Sequence, residues 1–452
     1  MFKKVLVANR GEIARRIIRS LNKMGIESIA VYSTADKDFS YIKEASKAIC
    51  IGKEKSSESY TCENAILEAA MQSDAQAIHP GFGFLSENAL FAKRCLMQKI
   101  NFIGPQPHLI SMMGDKNQAK ITMKNMGVKV LEGSQIVNTP HEALHIAQNL
   151  GYPVLLKAKA GGGGKGMRLV EKESELKDAF IKAQAESAAS FKDGDLYIEK
   201  FLPNARHIEF QILGDNYKKV ICLGSRECSI QRNNQKLIEE ALANIDKSIL
   251  QKTTDSIINA LQNLGYSNAG TMEFLLSQSG ELYFMEMNTR IQVEHPVTEL
   301  VYGLDIVEWQ IKIAANQKIN LDESKLNPHG HAIECRINAE DAKASFTPKT
   351  GKITKLIWPC DSRVRIDTHV EEGSYISPFY DSMIAKVIVH HDTRAQAVKL
   401  MQETLNNIHI EGISTTLDFH KQILNHCDFI NGTYNCSFIK DNILSLQGAM
   451  NA

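Results

Sequence analysis

An α/β fold that passes into α+β is the architecture this sequence predicts, and three observations carry that expectation. The first 33 residues run strand–helix–strand, residues 218–300 alternate strand and helix patterns, and the last 120 residues set a few strands beside one long helix. The chain has 452 residues, and at roughly 150 residues per domain about three domains are expected. Hydrophobic residues make up 43% and charged residues 23%. That is ample apolar material for a core, so disorder as the main state is excluded.

Each element follows from local pattern. Lys3 to Ala8 is a short apolar run, and Ile13, Ile17, Leu21 and Met24 then recur at helical spacing. Gly25 ends that helix, and Ser28 to Tyr32 reads as the next strand. A second unit spans Ile66 to Ile78 and runs into the loop HPGFGFLSEN. Asn101 to Ile103 is a third strand before Gly104-Pro105. These elements make a first, nucleotide-type α/β domain over 1–113. Residues 114–150 look helical, with Lys116 at the start. Tyr152 to Gly214 is strand-rich, broken by a helix near Glu173 to Ala189. His329-Gly330-His331 follows a proline and marks a boundary, giving domains at 114–330 and 331–446. The last domain should hold strands near 331–338 and 383–389 and a helix from Arg394 to Asn406.

Composition excludes several function classes. Lys+Arg and Asp+Glu both number 52, and a protein that coats nucleic acid usually carries a basic excess. No apolar run approaches the ~20 residues that span a bilayer. The N-terminal apolar stretch is too short for a signal peptide, and Asn9, Arg10 and Glu12 follow it at once. The nine cysteines are scattered, with no CxxC pair, so neither a disulfide framework nor a zinc site is expected. The setting implied is reducing and cytoplasmic, with the cysteines mostly buried as small hydrophobes.

Two segments carry the chemistry. In YPVLLKAKAGGGGKGMRLV (152–170) a run of glycines sits between two strands. It lacks the Lys-[Ser/Thr] of a P-loop and the following helix of a dinucleotide fingerprint. A glycine tip between strands is instead a flap able to close over a nucleotide. In GTMEFLLSQSGELYFMEMNTRIQVEH (270–295) two strands flank a turn at Ser277 to Gly280. Glu273 lies on the first strand, and Glu286 and Asn288 share a face of the second. Two carboxylates and an amide oxygen suit Mg²⁺. Arg290, Gln292 and Glu294 continue that face if the strand persists. Arg290 offers a planar fork for phosphate or bicarbonate, and Glu294 a general base. Elsewhere His207 and Glu209 share a strand face. Arg226, Arg232 and Lys236 form a cluster that could bind anions, in what reads more readily as a polar loop. Glu334 and Arg336 share one face, which suits an internal salt bridge.

In order along the chain, VLVANRGEIARRI, AIHPGFGFLSEN, MGDK, KAKAGGGGKGMRLV, IEKFL, RHIEFQ, SRECSIQR, GTMEFL, FMEMNTRIQVEHPVTEL, GHAIECRINAED and YDSMIAK together resemble biotin carboxylase, of the ATP-grasp superfamily. The resemblance covers nearly the whole chain. It implies an N-terminal Rossmann-like (pre-ATP-grasp) domain, a central ATP-grasp domain with a mobile glycine-rich lid at about 131–203, and a C-terminal α+β domain. It also implies an enzyme that carboxylates biotin with ATP and bicarbonate through carboxyphosphate. By motif, Lys116 and Lys157 would hold ATP phosphates, and Gly163 and Gly164 would close over them. Glu199, Lys200, Phe201 and Leu202 would meet the adenine, with His207 at the ribose and Gln231 and Asn234 nearby. Glu273, Glu286 and Asn288 would hold Mg²⁺ (or Mn²⁺). Lys236, Arg290, Gln292, Val293 and Glu294 would bind bicarbonate, with Glu294 as its base, and Arg336 would stabilise the biotin enolate. Asn234 stands where the family usually has His, and two prolines usual after Glu240 are absent. No biotin-attachment motif is present, so biotin is expected on a separate carrier protein, with carboxyltransferase subunits and a homodimer as further partners. Acetyl-CoA carboxylase is the favoured context; a two-subunit pyruvate carboxylase or another acyl-CoA carboxylase is the alternative. A different ATP-grasp ligase and a degenerate regulatory paralogue are the remaining readings.

Overall fold

The computed structural model describes residues 1–159, 166–191, 193–322 and 326–450. Its first sheet is wholly parallel. Strands β1 (Lys4–Val7), β2 (Glu27–Ser33), β3 (Lys47–Gly52), β4 (Ala77–His79) and β5 (Asn101–Phe102) lie in the order β3-β2-β1-β4-β5. The first helix, Gly11–Lys23, buries Ile13, Ile17 and Leu21 against it, as their spacing predicts. It stops before Gly25, whose φ of +69° suits glycine. Strand β3 was not anticipated. It is an edge strand with Ile51 as its one buried residue, so its sequence shows no clean alternation.

The helical pattern at 114–150 resolves into two helices, Lys116–Asn125 and Pro140–Leu150. Asp115 caps the first through the N–H groups of Asn117 and Gln118, and Thr139 caps the second. Between them the chain bridges outward, pairing Val130 with Phe284 and Val137 with Leu196. Strands β6 (Val154–Ala158), β7 (Met167–Val170) and β8 (Leu196–Lys200) then form a separate antiparallel sheet, β7-β6-β8. It has its own core, in which Val154, Leu156, Leu196 and Ile198 meet Phe180 of the helix Glu173–Phe191. The expected glycine tip, with Gly163 and Gly164, lies outside the described residues.

The central scaffold is an eight-stranded antiparallel sheet. It contains β9 (Arg206–Gly214), β10 (Val220–Arg232), β11 (Gln235–Ala241), β12 (Asn268–Leu276), β13 (Leu282–Asn288) and β14 (His331–Asn338), with the strands Met383–His391 and Val364–Thr368 beyond. The order is β13-β12-β9-β10-β11-β14, then Met383–His391, then Val364–Thr368. The ladder therefore crosses the boundary expected at 330/331: β11 pairs directly with β14, Ile238 opposite Cys335.

Two local expectations are corrected here. The supposed polar loop around 226–240 is a tight hairpin. Asn233 and Asn234 turn it, both left-handed at φ 49° and 62°, the geometry a two-residue turn needs. The strand carrying Glu286 does not persist to Glu294 but ends at Asn288, and Glu294 is the N-cap of the helix His295–Tyr302. Pro296 in that helix's first turn sets the change of direction. Of the nine cysteines, all free, three are buried, three half-buried and three exposed, so burial accounts for fewer of them than expected. Among the described residues no helix is long and apolar enough to cross a membrane.

Candidate active site

The parallel sheet's loops, the three-stranded lid and one face of the large sheet enclose a cavity of about 770 Å³. Its electrostatic centre is Lys236 on β11. The ammonium lies 2.6 Å from Glu209, 3.0 Å from Glu273 and 2.6 Å from Glu294. Burial opposes its charge, but these carboxylates outweigh burial and hold the Lys236 ammonium well above the usual lysine range. Arg336 on β14 reaches Glu294 at 2.8 Å and Glu239 at 2.5 Å. Burial would push the Glu294 carboxyl up, yet Lys236, Arg336 and Arg226 hold it well below the usual carboxylate range. Glu294 is thus ionised, and each of its oxygens faces a cation.

Arg226 is the fixed point behind this group. It is fully buried and donates to five side chains: Glu209, Gln211, Thr271, Gln292 and Thr298. Gln292 in turn donates to Glu273 at 2.7 Å. This is why an irregular segment, 289–293, can hold reacting groups in place.

Glu273 and Glu286 are register partners across β12 and β13. Glu273 accepts from Asn288 at 2.8 Å and lies 3.2 Å from His207. Glu286 meets Lys116 at 2.7 Å. Burial opposes it, but Lys236 and His207 keep the Glu273 carboxyl far below its ordinary value. An ionised carboxylate, a second opposite it and the amide of Asn288 form a hard-oxygen donor set with no thiol, which fits Mg²⁺. Arg290 donates to Asn288 Oδ1 at 2.9 Å and to Glu87 at 2.9 Å.

On the lid side, Lys157 meets Glu199 at 2.6 Å, and Lys120 pairs with the same carboxylate. Despite burial, the two lysines hold Glu199 down at about 2. His207 shares a hydrogen bond of 2.8 Å with Gln231.

The structure brings most sequence-nominated residues to one cavity wall. Lys116, Lys157, His207, Gln231 and Asn234 line it, as do Lys236, Glu273, Glu286 and Asn288. Arg290, Gln292, Val293, Glu294 and Arg336 complete it. Glu199, Lys200, Phe201 and Leu202 are not among its lining residues. Glu199 is buried in its ion pairs, and Lys200 donates to Gly151 O at 2.7 Å. Arg336 pairs with Glu239 on β11 and with Glu294 at the helix N-cap rather than with Glu334 on its own strand. Sequence reasoning did not nominate Glu87, Lys120 or Glu239; it noted Glu209 only as a face-mate of His207 and Arg226 only in a cluster read as a polar loop. Two signals were present: Lys120 stands one helical turn from Lys116, and Glu209 shares a strand face with His207.

Comparison with known proteins matches this geometry. Residues 1–110 match the family described as biotin carboxylase, N-terminal domain, and residues 334–441 the biotin carboxylase C-terminal domain. Residues 115–322 match the carbamoyl-phosphate synthase L chain, ATP binding domain. The biotin carboxylase of Nostoc sp. is 49% identical over 442 residues, which is 97% of this chain and 99% of that protein. A crystal structure of a biotin carboxylase–β,γ-ATP complex from Campylobacter jejuni superposes with a TM-score of 0.94 at 45% identity, covering 98% of this chain and 99% of that one. The biotin carboxylase domain dimer of Hydrogenobacter thermophilus 2-oxoglutarate carboxylase, in complex with MgADP, ADP and bicarbonate, gives 0.94 at 43% identity over 99% of both chains.

Proposed function

The chain belongs to the biotin carboxylase family of ATP-grasp enzymes, and from that premise we propose that it carboxylates biotin on a separate carrier protein. Bicarbonate attacks the γ-phosphorus of ATP to give carboxyphosphate and ADP; carboxyphosphate and biotin then give carboxybiotin and phosphate. The observation that carries this reading is Glu294 held between Lys236 and Arg336 in a cavity that also takes Lys116 and Lys157. A carboxylate pinned by two cations is a weak base, so proton abstraction requires that one cation let go. Lys236 does so when bicarbonate arrives: its ammonium turns to the anion, and Glu294 becomes basic enough to take the proton. Arg290, Gln292 and the Val293 backbone orient the bicarbonate. Lys116 and Lys157 bind the ATP phosphates, while His207, Gln231 and Asn234 line the nucleotide side and residues 199–202 meet the adenine. Glu273, Glu286 and Asn288 hold Mg²⁺ or Mn²⁺, which when bound neutralises phosphate charge. Arg336 stabilises the biotin enolate. The lid, about 131–203 with Gly163 and Gly164, keeps water from the labile carboxyphosphate.

The functional units proposed are 1–113, 114–330 and 331–446, in a cytoplasmic homodimer. Its partners are a biotin carrier and carboxyltransferase subunits, and the favoured complex is acetyl-CoA carboxylase. The likeness to a 2-oxoglutarate carboxylase domain favours a second reading, the equivalent subunit of a keto-acid carboxylase such as a two-subunit pyruvate carboxylase. ADP release with Mg-ATP and bicarbonate tests the core proposal. Strong stimulation by free biotin, lost in Arg336→Ala, is the expected result. No stimulation by biotin or by a biotinylated carrier would overturn it. Which carrier is carboxylated faster then separates the two complexes.

A further inference from the structure

The pairing of β11 with β14 sets two glutamates, Glu239 and Glu334, directly opposite each other. Register partners in an antiparallel pair share a face with their Cβ atoms roughly 5 Å apart. Neither residue has any exposed surface. Arg336 stands two residues along β14 on the same face, and its guanidinium spans Glu239 and Glu294. The oxygens of both glutamates are buried and take no hydrogen bond from any described residue, but Glu239 has its ion pair to Arg336, whereas Glu334 has no ion pair among the described residues. The ammonium acting on it most strongly, Lys386 of the neighbouring strand, is committed elsewhere. It donates to Val293 O at 2.9 Å and lies 3.1 Å from Glu12 and 3.8 Å from Asp367.

Two bare carboxylates side by side in a dry sheet, with one guanidinium already shared, are strongly unfavourable. One proton resolves the conflict, because a neutral carboxylic acid has an O–H to give and its neighbour has a lone pair to accept it. We propose that Glu334 is protonated at neutral pH and hydrogen-bonds to Glu239, and that this acid–carboxylate pair is a positioning device for Arg336. The proposal rests on the reading of Arg336 as the biotin-side arginine. The electrostatics agree: burial drives the Glu334 carboxyl well above its ordinary range, with Glu239 and Glu294 adding and Lys386 and Arg336 opposing. Glu239 is also shifted upward by burial, against Arg336. The device gives Arg336 an anchor that does not depend on Glu294. When Glu294 takes up a proton during turnover, the guanidinium stays tied to Glu239 and remains aimed at the developing enolate oxygen.

Glutamine copies a protonated glutamate, so the full-length Glu334→Gln should keep kcat/KM for biotin within about threefold. Glu334→Leu, similar in bulk but without a donor, should lose about tenfold or more in kcat/KM for biotin, with KM for ATP unchanged. Infrared spectra at neutral pH should show a protonated-carboxyl C=O band in the unaltered protein that Glu334→Gln lacks and Glu294→Gln retains. That arm needs no turnover and no biotin, so it stands or falls separately from the biotin reading. Equal damage from Gln and Leu, or no band lost in Glu334→Gln, would overturn the proposal. If the leucine variant does not fold, the infrared comparison still decides.

Discussion

The large sheet and the lid hold their charges in opposite ways. In the sheet each key cation is over-determined: Lys236 faces three carboxylates, and Arg226 donates to five side chains. In the lid one buried carboxylate, Glu199, serves two lysines. Lys157 belongs to the lid and Lys120 to the helix Lys116–Asn125, so the second pair ties lid to body. Other lid ion pairs, such as Lys159–Asp195 and Arg168–Glu186, lie at the surface, where such pairs contribute little. On the proposed reading the proton chemistry sits on a surface of multiply paired charges, and the cover is held by a contact that a phosphate can compete away.

The sharpest break would come at Glu294. Glu294→Gln keeps the shape and the helix start but removes the proposed base and the anion between Lys236 and Arg336. Biotin-dependent ADP release should fall by about 10³-fold, within the usual range for losing a general base, while ATP binding measured by titration survives. Near-normal turnover would mean that the proton leaves by another group.

Stability gives a second, smaller test of the sheet. Glu240, on the opposite face of β11 from Glu239, accepts from Arg394 at 2.8 Å, His331 at 2.7 Å and Tyr434. Burial opposes ionisation, but His331 and Arg394 hold its carboxyl at about 2, against 4.5 for an ordinary glutamate. A depressed carboxylate stabilises the fold above its unfolded pKa, and that contribution disappears as pH falls from about 4.5 to 2. The shift corresponds to about 3 kcal/mol at neutral pH. Urea unfolding of Glu240→Gln should show that loss at pH 7, and the difference from the unaltered chain should close toward pH 2. A difference independent of pH would assign the cost to packing instead.

The lid tie should be weaker. Lys120→Met keeps the stem and removes the charge, leaving Glu199 to Lys157 alone. Lys157 then gives up less readily to phosphate, and KM for ATP should rise about fivefold with kcat nearly unchanged. An equal fall in kcat would show that Lys120 acts in the transition state.

What the sequence made legible follows the same division. The strand–helix–strand start, the Glu273–Glu286 hairpin and the helix Arg394–Asn406 are local patterns, and all three were read correctly. The partners were not local. Glu209 becomes a ligand of Lys236 only because β9 lies beside β10 and β10 beside β11. Glu239 meets Arg336 only because β11 pairs with β14. Register decides such contacts, and one residue of slip would send each side chain to the other face. Arg290, Gln292 and Glu294 alternate, and so are expected to continue the strand face if the strand persists. The strand ends at Asn288, and the helix with Pro296 in its first turn presents Glu294 from its N-cap.

Asn234 is where the family resemblance and the local geometry can be set against each other. It occupies the second position of a two-residue turn at φ 62°, on the cavity rim. The hairpin beneath is anchored by Arg232, which donates to Ser345 O at 2.9 Å and lies 4.1 Å from the centre of the Phe346 ring. Asparagine and histidine both tolerate this left-handed backbone better than most residues, so Asn234→His should leave the turn intact. Asparagine offers a hydrogen bond and histidine can add a charge, but only below its pKa of roughly 6.5. The substitution should therefore lower KM for ATP about twofold at pH 8 and more at pH 6, where the imidazolium faces the anionic nucleotide. The unaltered enzyme should lack that extra gain. If KM stays the same at both values, the tip does not reach the nucleotide, and the site is complete without it.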